Sequence, residues 1–387
     1  MNQPLLSLPA APAQLQWKIW VLAPHLESKD EHIDYYYDFS QSIAEYTRVF
    51  TQLQLAWQWQ PITINNYATI LQEILENATK SHDQPIFLNL CDGDEINGTP
   101  GISVLNWLAA HQCIYTGADA DFYRITTSKI PMKQAFDAAG VATPAWRIIQ
   151  EPEQDISDLF TQLGSPIILK PAISGGSMGV GVKNVVSTLE EASEQIKKMF
   201  AGYRGWNLAA DGIIAEAFIA GPEYTALISG STAPHSSAKV YIPVERVFHT
   251  SLSEQEKFLS FDRLWEIYEE ETPMPQSEDF YRYATPPTDR IKAIQDISLQ
   301  AYEAVGGMGY TRADIRMDAA TEQLYVLEVN AQCGLSEDEN YTSIGAILRV
   351  NQTSFTQLIW EVLLDALQRS SFPASTRTIQ KSSAVRL

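Results

Sequence analysis

Positive charge is scarce in this chain. Lysine and arginine together number 27 against 47 aspartates and glutamates, which gives a formal net charge of −20 over 387 residues. A field of this sign repels the phosphates of nucleic acids and of anionic membranes, and it argues against both as partners. An acidic surface mainly favours solubility, although some of the carboxylates can also gather around metal ions.

Cysteines and long apolar runs are scarce as well. The three cysteines, Cys91, Cys113 and Cys333, form no CxxC pair, and their odd number indicates a reduced compartment without a disulfide framework. The first sixteen residues carry no charge and lack the basic segment of a signal peptide. No apolar run reaches the roughly 18 residues of a membrane span. The sequence therefore predicts a soluble, cytoplasmic protein.

Strands alternate with helices in the first third of the chain, which predicts a small parallel sheet. We expect a flexible leader over residues 1–16 and an N-terminal α/β domain over 17–125. The predicted strands of this domain are 17–23, 85–90 and 113–117, and its predicted helices are 35–54 and 101–111. A polar, glycine-bearing loop follows the second strand, and open α/β sheets bind ligands at such strand ends.

Two further units are predicted after residue 125. The central unit, 126–212, has predicted helices at 127–139, 155–163 and 188–200 and strands at 146–149, 166–171 and 182–186. The third unit, 213–370, has predicted strands at 213–219, 223–229, 309–318 and 323–330, a helix at 289–305, and a long insert at 250–287. A loop of that length is usually functional or disordered. Residues 371–387 are predicted to form a flexible tail.

A glycine-rich segment, GGSMGVG at 175–181, forms the tip of the predicted hairpin in the central unit. Glycines let the backbone approach an anion closely, and the hydroxyl of Ser177 adds a donor. Lys170 ends the preceding strand, where its ammonium can meet a phosphate. The tip fits neither GxxxxGK[ST] nor a GxGxxG between strand and helix. Both an ordinary turn and a hinged flap over phosphates remain open on this pattern.

Polar side chains recur at every second position on two later strands. Arg312 and Asp314 share one strand face, and Glu328 and Asn330 share another. If the two strands are neighbours, these oxygen ligands suit Mg²⁺ held jointly with substrate phosphates, and Arg312 would stabilise a transferred phosphoryl group. Alternation alone favours an exposed strand face with a surface ion pair. The glycine-rich segment upstream shifts the balance towards a phosphate site.

In this order along the chain, several segments resemble motifs of the ATP-grasp ligases, most closely the D-alanine–D-alanine ligase branch, over roughly residues 85–345. The matching segments are IYTG at 114–117, SK at 128–129, ILKP at 168–171, EAFIAGPE at 216–223, GYTRAD at 309–314 and LEVN at 327–330. The resemblance implies an α/β (α+β) ATP-grasp fold. In that fold a small parallel-sheet N-terminal domain accompanies two α+β subdomains that clamp ATP.

The resemblance also implies a reaction and its residues. A carboxylate is phosphorylated by ATP, an amine attacks the acyl phosphate, and an amide forms with release of ADP and phosphate. The implied cofactors are ATP and Mg²⁺ or Mn²⁺, with two ions, and a homodimer is implied by the resemblance alone. The implied residues are Lys129, Lys170, Ser177, Glu216, Ala217, Phe218, Ile219 and Glu223 for ATP, Asp314, Glu328 and Asn330 for the metal, and Arg312, Lys170 and Ser177 for catalysis. Within the ATP set, the resemblance implies that Glu216 to Ile219 bind adenine and that Glu223 binds the ribose.

The departures from the family concern the amino acid substrates. The N-terminal GGxSxE motif is absent at 23–31, and Gly176 stands where the family flap has a serine. The family's substrate segment PGxTxxSLxP reads CGLSEDEN at 333–340, so Gly334, Glu339 and Asn340 become the candidate substrate residues. Glu339 stands where the family has a serine that receives a carboxylate, and like charges repel. We therefore expect an amine substrate other than D-alanine, one that is basic or lacks that carboxylate. Glu339 pointing to solvent is an equally open reading.

Three alternatives stay open beside this small-molecule ligase. One is a true D-alanine–D-alanine ligase. Another is a ligase whose carboxylate donor is a specialised metabolite, such as a mycosporine-like amino-acid precursor. The third is a nucleotide-binding protein without turnover, against which the intact set of lysines, Arg312 and acidic residues argues.

Overall fold

The computed structural model describes residues 6–12, 15–26, 39–233, 236–275, 278–340 and 342–371. Part of the predicted leader, the start of the predicted helix at 35–54, most of the 23–31 segment and nearly all of the 371–387 tail therefore lie outside the described residues.

The N-terminal unit is a four-stranded parallel sheet, as predicted. Its strands are β1 (Gln16–Pro24), β2 (Ala56–Ile62), β3 (Asp83–Asn89) and β4 (Ile114–Tyr115), in the order β2-β1-β3-β4. The accompanying helices are α1 (Ser40–Leu53), α2 (Tyr67–Ser81) and α3 (Ile102–Ala110). Strand β2 and helix α2 are missing from the predicted elements. Pro61 weakens the strand pattern of β2, and proline is tolerated there because β2 is an edge strand.

The central unit contains a four-stranded antiparallel sheet in the order β5-β8-β6-β7. Its strands are β5 (Trp146–Ile149), β6 (Ile167–Pro171), β7 (Val185–Val186) and β8 (Ile213–Ala217). Two helices lead into it, α4 (Ala120–Thr127) and α5 (Lys129–Ala139), and α6 (Leu159–Leu163) and α7 (Leu189–Ala201) complete the unit. The helix predicted at 127–139 begins two residues later than predicted, at Lys129, and the preceding helix α4 ends at Thr127. The residue between them, Ser128, caps α5, because its hydroxyl accepts from the N–H of Ile130.

The predicted second hairpin strand at 182–186 is wrong over most of its length. Val182–Asn184 form a 3-10 turn, and only Val185 and Val186 pair as β7. The side chain of Asn184 explains the difference, because it donates to the carbonyls of Leu169 and Gly179 and accepts from the N–H of Gly181. This side chain takes the hydrogen bonds that a strand ladder would need.

The third unit is built on a larger sheet in the order β12-β11-β9-β13-β14, with β10 also paired to β9. The strands are β9 (Glu223–Ser229), β10 (Lys239–Val240), β11 (Val244–Phe248), β12 (Tyr281–Ala284), β13 (Tyr310–Met317) and β14 (Leu324–Ala331). Its helices are α8 (Phe261–Leu264), α9 (Thr288–Ala304), α10 (Ser343–Val350) and α11 (Phe355–Ser370). Every residue of β9 is buried, because hydrophobic clusters cover both faces of the sheet.

The insert at 250–287 is ordered in its described part. It contains a 3-10 turn (Glu254–Glu256), helix α8 and strand β12, which pairs with β11. Among the described residues, no helix is both long and apolar enough to cross a membrane.

Gln332 joins the N-terminal sheet to the third unit. Its side-chain amide donates to the carbonyl of Asn89 at 2.7 Å, and its side-chain oxygen accepts from the N–H of Ala118 at 2.8 Å. All three residues are buried. The end of β3 is therefore fixed beside the loop that follows β14.

We expect the substitution Gln332→Ala to destabilise the chain by about 2–4 kcal/mol, because it leaves two buried backbone groups unpaired. Denaturant unfolding would measure this loss. The matched control is Gln323→Ala at an exposed position, which we expect to cost under ~0.5 kcal/mol. Equal losses in both variants would contradict the bridging role of Gln332.

Candidate active site

The four polar residues predicted on two strands meet on one sheet face. In the antiparallel pairing of β13 and β14, Arg312 lies opposite Asn330, and Asp314 lies opposite Glu328. An irregularity in the pairing follows directly after Asp314. The predicted juxtaposition of these strands is therefore confirmed, and it sets two carboxylates side by side.

Asp314 is the most heavily engaged of the four. One of its oxygens accepts from Nε and Nη2 of Arg312 at 3.1 and 3.0 Å and from the amide of Asn330 at 3.2 Å. The other oxygen accepts from the hydroxyl of Thr225 at 3.0 Å. Burial alone would lower the pKa of Arg312, but the charges of Asp314 and Glu328 more than offset it and raise that pKa. The guanidinium therefore stays charged at the edge of the carboxylate pair.

The predicted ATP lysines enter from the central unit. Lys129, at the start of α5, lies 3.6 Å from a carboxylate oxygen of Glu328 and donates to the hydroxyl of Ser174 at 3.1 Å. Lys170, at the end of β6, lies 2.6 Å from Glu216. Both ammonium groups are largely buried, so an anion placed between them would interact through little water.

Behind Lys170 lies a buried lysine that the sequence analysis missed. Lys133, on α5, is fully buried and lies 2.5 Å from the second oxygen of Glu216. Burial lowers the pKa of Lys133, and Glu216 opposes this effect. Burial would raise the pKa of Glu216, but the two lysines outweigh it and lower that pKa to about 2. Glu216 thus stays ionised and fixes Lys170 at the cleft. The sequence signal that could have identified Lys133 is its position one helical turn after Lys129.

The segment predicted to bind adenine runs from Glu216 to Ile219. The carboxylate of Glu216 is committed to the two lysines, so only its backbone is left for a base. The N–H groups of Ala217 and Phe218 donate to Ala145 and Pro166. Within the described part of the chain nothing accepts from the N–H of Ile219, so this donor is available to a ligand.

Glu223, the predicted ribose residue, lies between two guanidinium groups. Arg246 on β11 pairs with one of its oxygens, and Nε of Arg316 donates to the other at 3.2 Å. A carboxylate offers about four acceptor positions, so ribose hydroxyls can still bind. Arg316 also donates to the carbonyl of Ile219 at 2.8 Å and so connects Glu223 to the segment at 216–219. Arg246 and Arg316 were not predicted, because only the folded sheet brings them to the cleft.

The glycine-rich flap is held by the insert. Nε1 of Trp265 donates to the carbonyl of Gly176 at 2.8 Å, and a side-chain carbon at Gly176 would stand 3.1 Å from the Trp265 ring. Gly176 also has a positive φ of 55°. Both facts give a physical reason for glycine at this position. Ser177 is half-buried in the flap, and no described residue forms a side-chain hydrogen bond with it.

Glutamates of the insert hold the base of the flap. Glu271 accepts from the N–H of Val182 at 2.8 Å and from the hydroxyl of Ser260 at 2.5 Å. At the other end of the insert, the carbonyl of Lys257 accepts from Arg316, and Phe258 packs near Phe218 of the hinge. The insert therefore contacts Phe218 and Arg316 at one end and Val182, beside the glycine-rich segment, at the other.

The candidate substrate segment is placed less centrally. Glu339 forms a bidentate ion pair with Arg349 on α10, one arm of which measures 2.8 Å, and this pair is partly exposed. Asn340 and Gly334 are exposed. The segment itself is anchored by the hydroxyl of Ser336, which donates to the buried Glu45 on α1 at 2.8 Å. Like Asp314 and Glu328, Glu339 has a cationic partner within the chain, but its ion pair lies on a more exposed part of the surface.

A model of the family described as "D-ala D-ala ligase C-terminus" matches residues 135–363, more than half of the chain. The chain is 26% identical over 283 residues to the D-alanine–D-alanine ligase of Synechococcus sp. (strain JA-2-3B'a(2-13)), covering 73% of this chain and 75% of that protein. It is 28% identical over 283 residues to the D-alanine–D-alanine ligase of Xanthomonas axonopodis pv. citri (strain 306), covering 72% and 77%.

Solved structures show the same fold. The D-alanine–D-alanine ligase from Bacillus anthracis complexed with ATP superimposes with a TM-score of 0.61 at 17% identity, over 91% of this chain and 98% of that chain. The D-alanine–D-alanine ligase from Coxiella burnetii gives a TM-score of 0.61 at 15% identity, over 96% and 100%. The predicted fold is thereby confirmed.

We expect Lys133→Met to destabilise the chain by about 3 kcal/mol, because it removes one partner of a buried ion pair. Denaturant unfolding would measure the loss. Lys183→Met is the matched control, since Lys183 pairs with Glu270 at the exposed surface and should contribute under ~1 kcal/mol. Similar losses in both variants would contradict the buried role of Lys133.

Proposed function

Since the chain belongs to the D-alanine–D-alanine ligase family of ATP-grasp enzymes, we propose that it joins a small carboxylic acid to an amine through an acyl phosphate. The reaction class is ATP-dependent carbon–nitrogen ligation. The observation that carries the proposal is the pairing of Asp314 with Glu328 across β13 and β14, flanked by Arg312, Asn330 and Lys129.

The donor set of these strands fits a hard divalent ion. Asp314, Glu328 and Asn330 would hold Mg²⁺, with Mn²⁺ as a substitute and a second ion shared with the phosphates. Among the described residues, no group of three or more His, Cys, Asp or Glu side chains forms a complete metal cluster. Mg²⁺ usually takes its remaining ligands from substrate phosphates and water. A bound ion would neutralise phosphate charge and orient the transferred phosphoryl group.

In this proposal, cationic side chains of the chain bind the phosphates and stabilise the transferred group. Lys129 and Lys170 bind the phosphates from the central unit, and the flap with Ser177 covers them. The carboxylate of the acid substrate attacks the terminal phosphorus, the bond to the β-phosphate oxygen breaks and ADP leaves, and Arg312 stabilises the charge that develops on the transferred group. The amine then attacks the acyl carbon, and phosphate departs. Exclusion of water by the flap and the insert protects the acyl phosphate from hydrolysis.

We further propose that the amine substrate is not D-alanine. Glu339 supplies no hydroxyl donor for a substrate carboxylate, and its own carboxylate is paired with Arg349. The proposal rests on this position and on the resemblance that assigns it to substrate. The relatives named as D-alanine–D-alanine ligases support the ligase chemistry. Experiment has to decide whether the amine substrate differs from D-alanine.

ADP release from ATP and Mg²⁺, followed by mass spectrometry of the products, tests both proposals. Pools of D-amino acids, L-amino acids and other small carboxylic acids would be supplied, singly and in pairs. We expect ADP release and an amide product from at least one pair. ATP binding without ADP release in any pool would instead indicate a nucleotide-binding protein without turnover. D-alanyl-D-alanine formed efficiently from D-alanine alone would refute the substrate proposal.

Asp314→Asn should lower amide formation by about 10²-fold or more, because a lost carboxylate ligand weakens the metal site. Higher Mg²⁺ concentrations should restore part of the activity. Asp289→Asn, at an exposed position on α9, is the control and should keep full activity. Steady-state ADP release over a range of Mg²⁺ concentrations provides the measurement, and a loss that does not respond to Mg²⁺ would speak against metal binding.

Glu339→Ser should change the ranking of accepted amines and add activity with amines that carry a carboxylate, because a repulsive charge is removed. The control is Arg349→Ala, which keeps the carboxylate of Glu339 and removes its cationic partner. We expect this control to favour basic amines more strongly than the unaltered enzyme does. An unchanged ranking in both variants would show that Glu339 does not face the substrate.

A further inference from the structure

One face of the third sheet carries charged side chains on three neighbouring strands. Glu223 on β9 lies opposite Arg246 on β11 and opposite Arg316 on β13. Arg316 is two residues after Asp314 on β13, so its side chain shares the face that carries the candidate metal residues. The resemblance to the ligase family assigns Arg316 no role.

Arg316 is a buried cation, and each of its three side-chain nitrogens has an acceptor. The residue is 3% exposed. Its Nε donates to the carboxylate of Glu223 at 3.2 Å, its Nη1 donates to the carbonyl of Ile219 at 2.8 Å, and its Nη2 donates to the carbonyl of Lys257. A guanidinium holds its donors in one rigid plane, so three acceptors in three directions fix both its position and its orientation.

These three acceptors belong to three parts of the candidate nucleotide site, namely the segment at 216–219 proposed for adenine, the proposed ribose residue, and the insert. The guanidinium of Arg316 also lies 5.3 Å from the centre of the Phe218 ring. Phe258 of the insert packs edge-on against that same ring, with 6.2 Å between the ring centres. Arg316 therefore joins the three parts through one side chain.

The two guanidinium groups hold the carboxylate of Glu223 in one orientation. Arg246 pairs with one oxygen and Arg316 with the other, so the carboxylate cannot rotate about its last bond without losing a partner. No other described residue donates a hydrogen bond to it. A carboxylate has about four acceptor positions, and the two arginines use one on each oxygen. One position therefore remains on each oxygen, which matches a vicinal diol such as the 2′- and 3′-hydroxyls of ribose.

We propose that Arg316 is a positioning residue that gives the nucleotide site its preference for a ribose with both hydroxyls. This inference rests on the proposed function, because it takes Glu223 as the ribose residue. Without Arg316, one oxygen of Glu223 loses its partner, and Arg246 alone no longer fixes the plane of the carboxylate. The diol then meets one well-placed acceptor instead of two, and the second hydroxyl contributes little to binding.

The test compares the binding of ADP, 2′-deoxy-ADP and 3′-deoxy-ADP in the presence of Mg²⁺, measured by isothermal titration calorimetry on the full chain. For the unaltered protein, we expect the loss of either hydroxyl to weaken binding about 10-fold or more, because each hydroxyl donates to a charged group. In Arg316→Met, we expect ADP to bind about 10-fold more weakly and the three nucleotides to bind within about threefold of one another. An unchanged ribose preference in this variant would overturn the proposal.

Arg316→Lys separates the charge of the side chain from its geometry. Lysine keeps the positive charge, but its single ammonium cannot reproduce the planar set of donors that contacts Glu223, Ile219 and Lys257. We expect this variant to lose the ribose preference as Arg316→Met does. Full preference in the lysine variant would overturn the proposal, because charge alone would then suffice. If Arg316→Met does not fold, the lysine variant provides the same comparison.

Arg369→Met is the matched control, because it also removes a buried arginine. Arg369 on α11 pairs with Asp365 at 2.7 Å and donates to the carbonyl of Tyr115 in the N-terminal sheet at 3.1 Å. We expect this control to lower the free energy of unfolding and to keep the ribose preference within about twofold. An equal loss of preference in both methionine variants would reduce Arg316 to a residue that only supports the fold, and would overturn the proposal.

The same titrations separate this inference from the proposed function. If the unaltered protein binds none of the three nucleotides, the proposed function fails and the role of Arg316 fails with it. If it binds all three with equal affinity, the ligase proposal stands and only the inference about ribose is overturned.

Discussion

The register between β13 and β14 is the constraint on which the site depends. Side chains alternate between sheet faces, so a slip of one residue would turn Arg312 and Asp314 away from Glu328 and Asn330. The buried residues between them, Ala313 and Val329, fix the register because the same slip would expose them. The hydroxyl of Thr225 on β9 adds a third strand to the arrangement. The same strand register therefore satisfies both core packing and the placement of the candidate ligand residues.

Positive side chains gather at one site within this acidic chain. The net charge is −20, yet Lys129, Lys170, Arg246 and Arg312 all lie at the candidate nucleotide site. Each is restrained by a carboxylate, and the carboxylates are in turn held in place by neighbours such as Lys133. The site is thus preorganised for anions before any ligand arrives. The surrounding negative surface discourages other polyanions, so the local arrangement rather than net charge sets the affinity for phosphate.

Much of the fold could be predicted from local pattern. The apolar run of β1 and the alternation of β13 and β14 gave the correct elements because their burial follows directly from periodicity. Strand β2 escaped prediction, since a proline on an edge strand looks the same as a loop. The 3-10 turn at Val182–Asn184 depends on contacts of Asn184 with Leu169 and Gly179, which no local pattern reveals.

The site was predictable where sequence spacing and strand geometry coincide, as for Asp314 and Glu328. Partners from distant segments were not predictable. Arg246 and Arg316 were missed because their ion pairs with Glu223 form only in the folded chain, and the same holds for Lys133 and Glu216. The metal, nucleotide and substrate roles assigned to individual residues stay predictions. The placement of Glu339 against Arg349 likewise depends on a helix that begins after the motif ends.

The contacts between insert and flap have a consequence for the catalytic cycle. Trp265 holds the tip of the flap through Gly176, and Glu271 holds its base through Val182. If the flap covers the bound phosphates as proposed, exchange of reactants and products would require these two hydrogen bonds to break and re-form in each cycle. The frequency of that opening would then be a ceiling on turnover, however fast the bond-forming steps are.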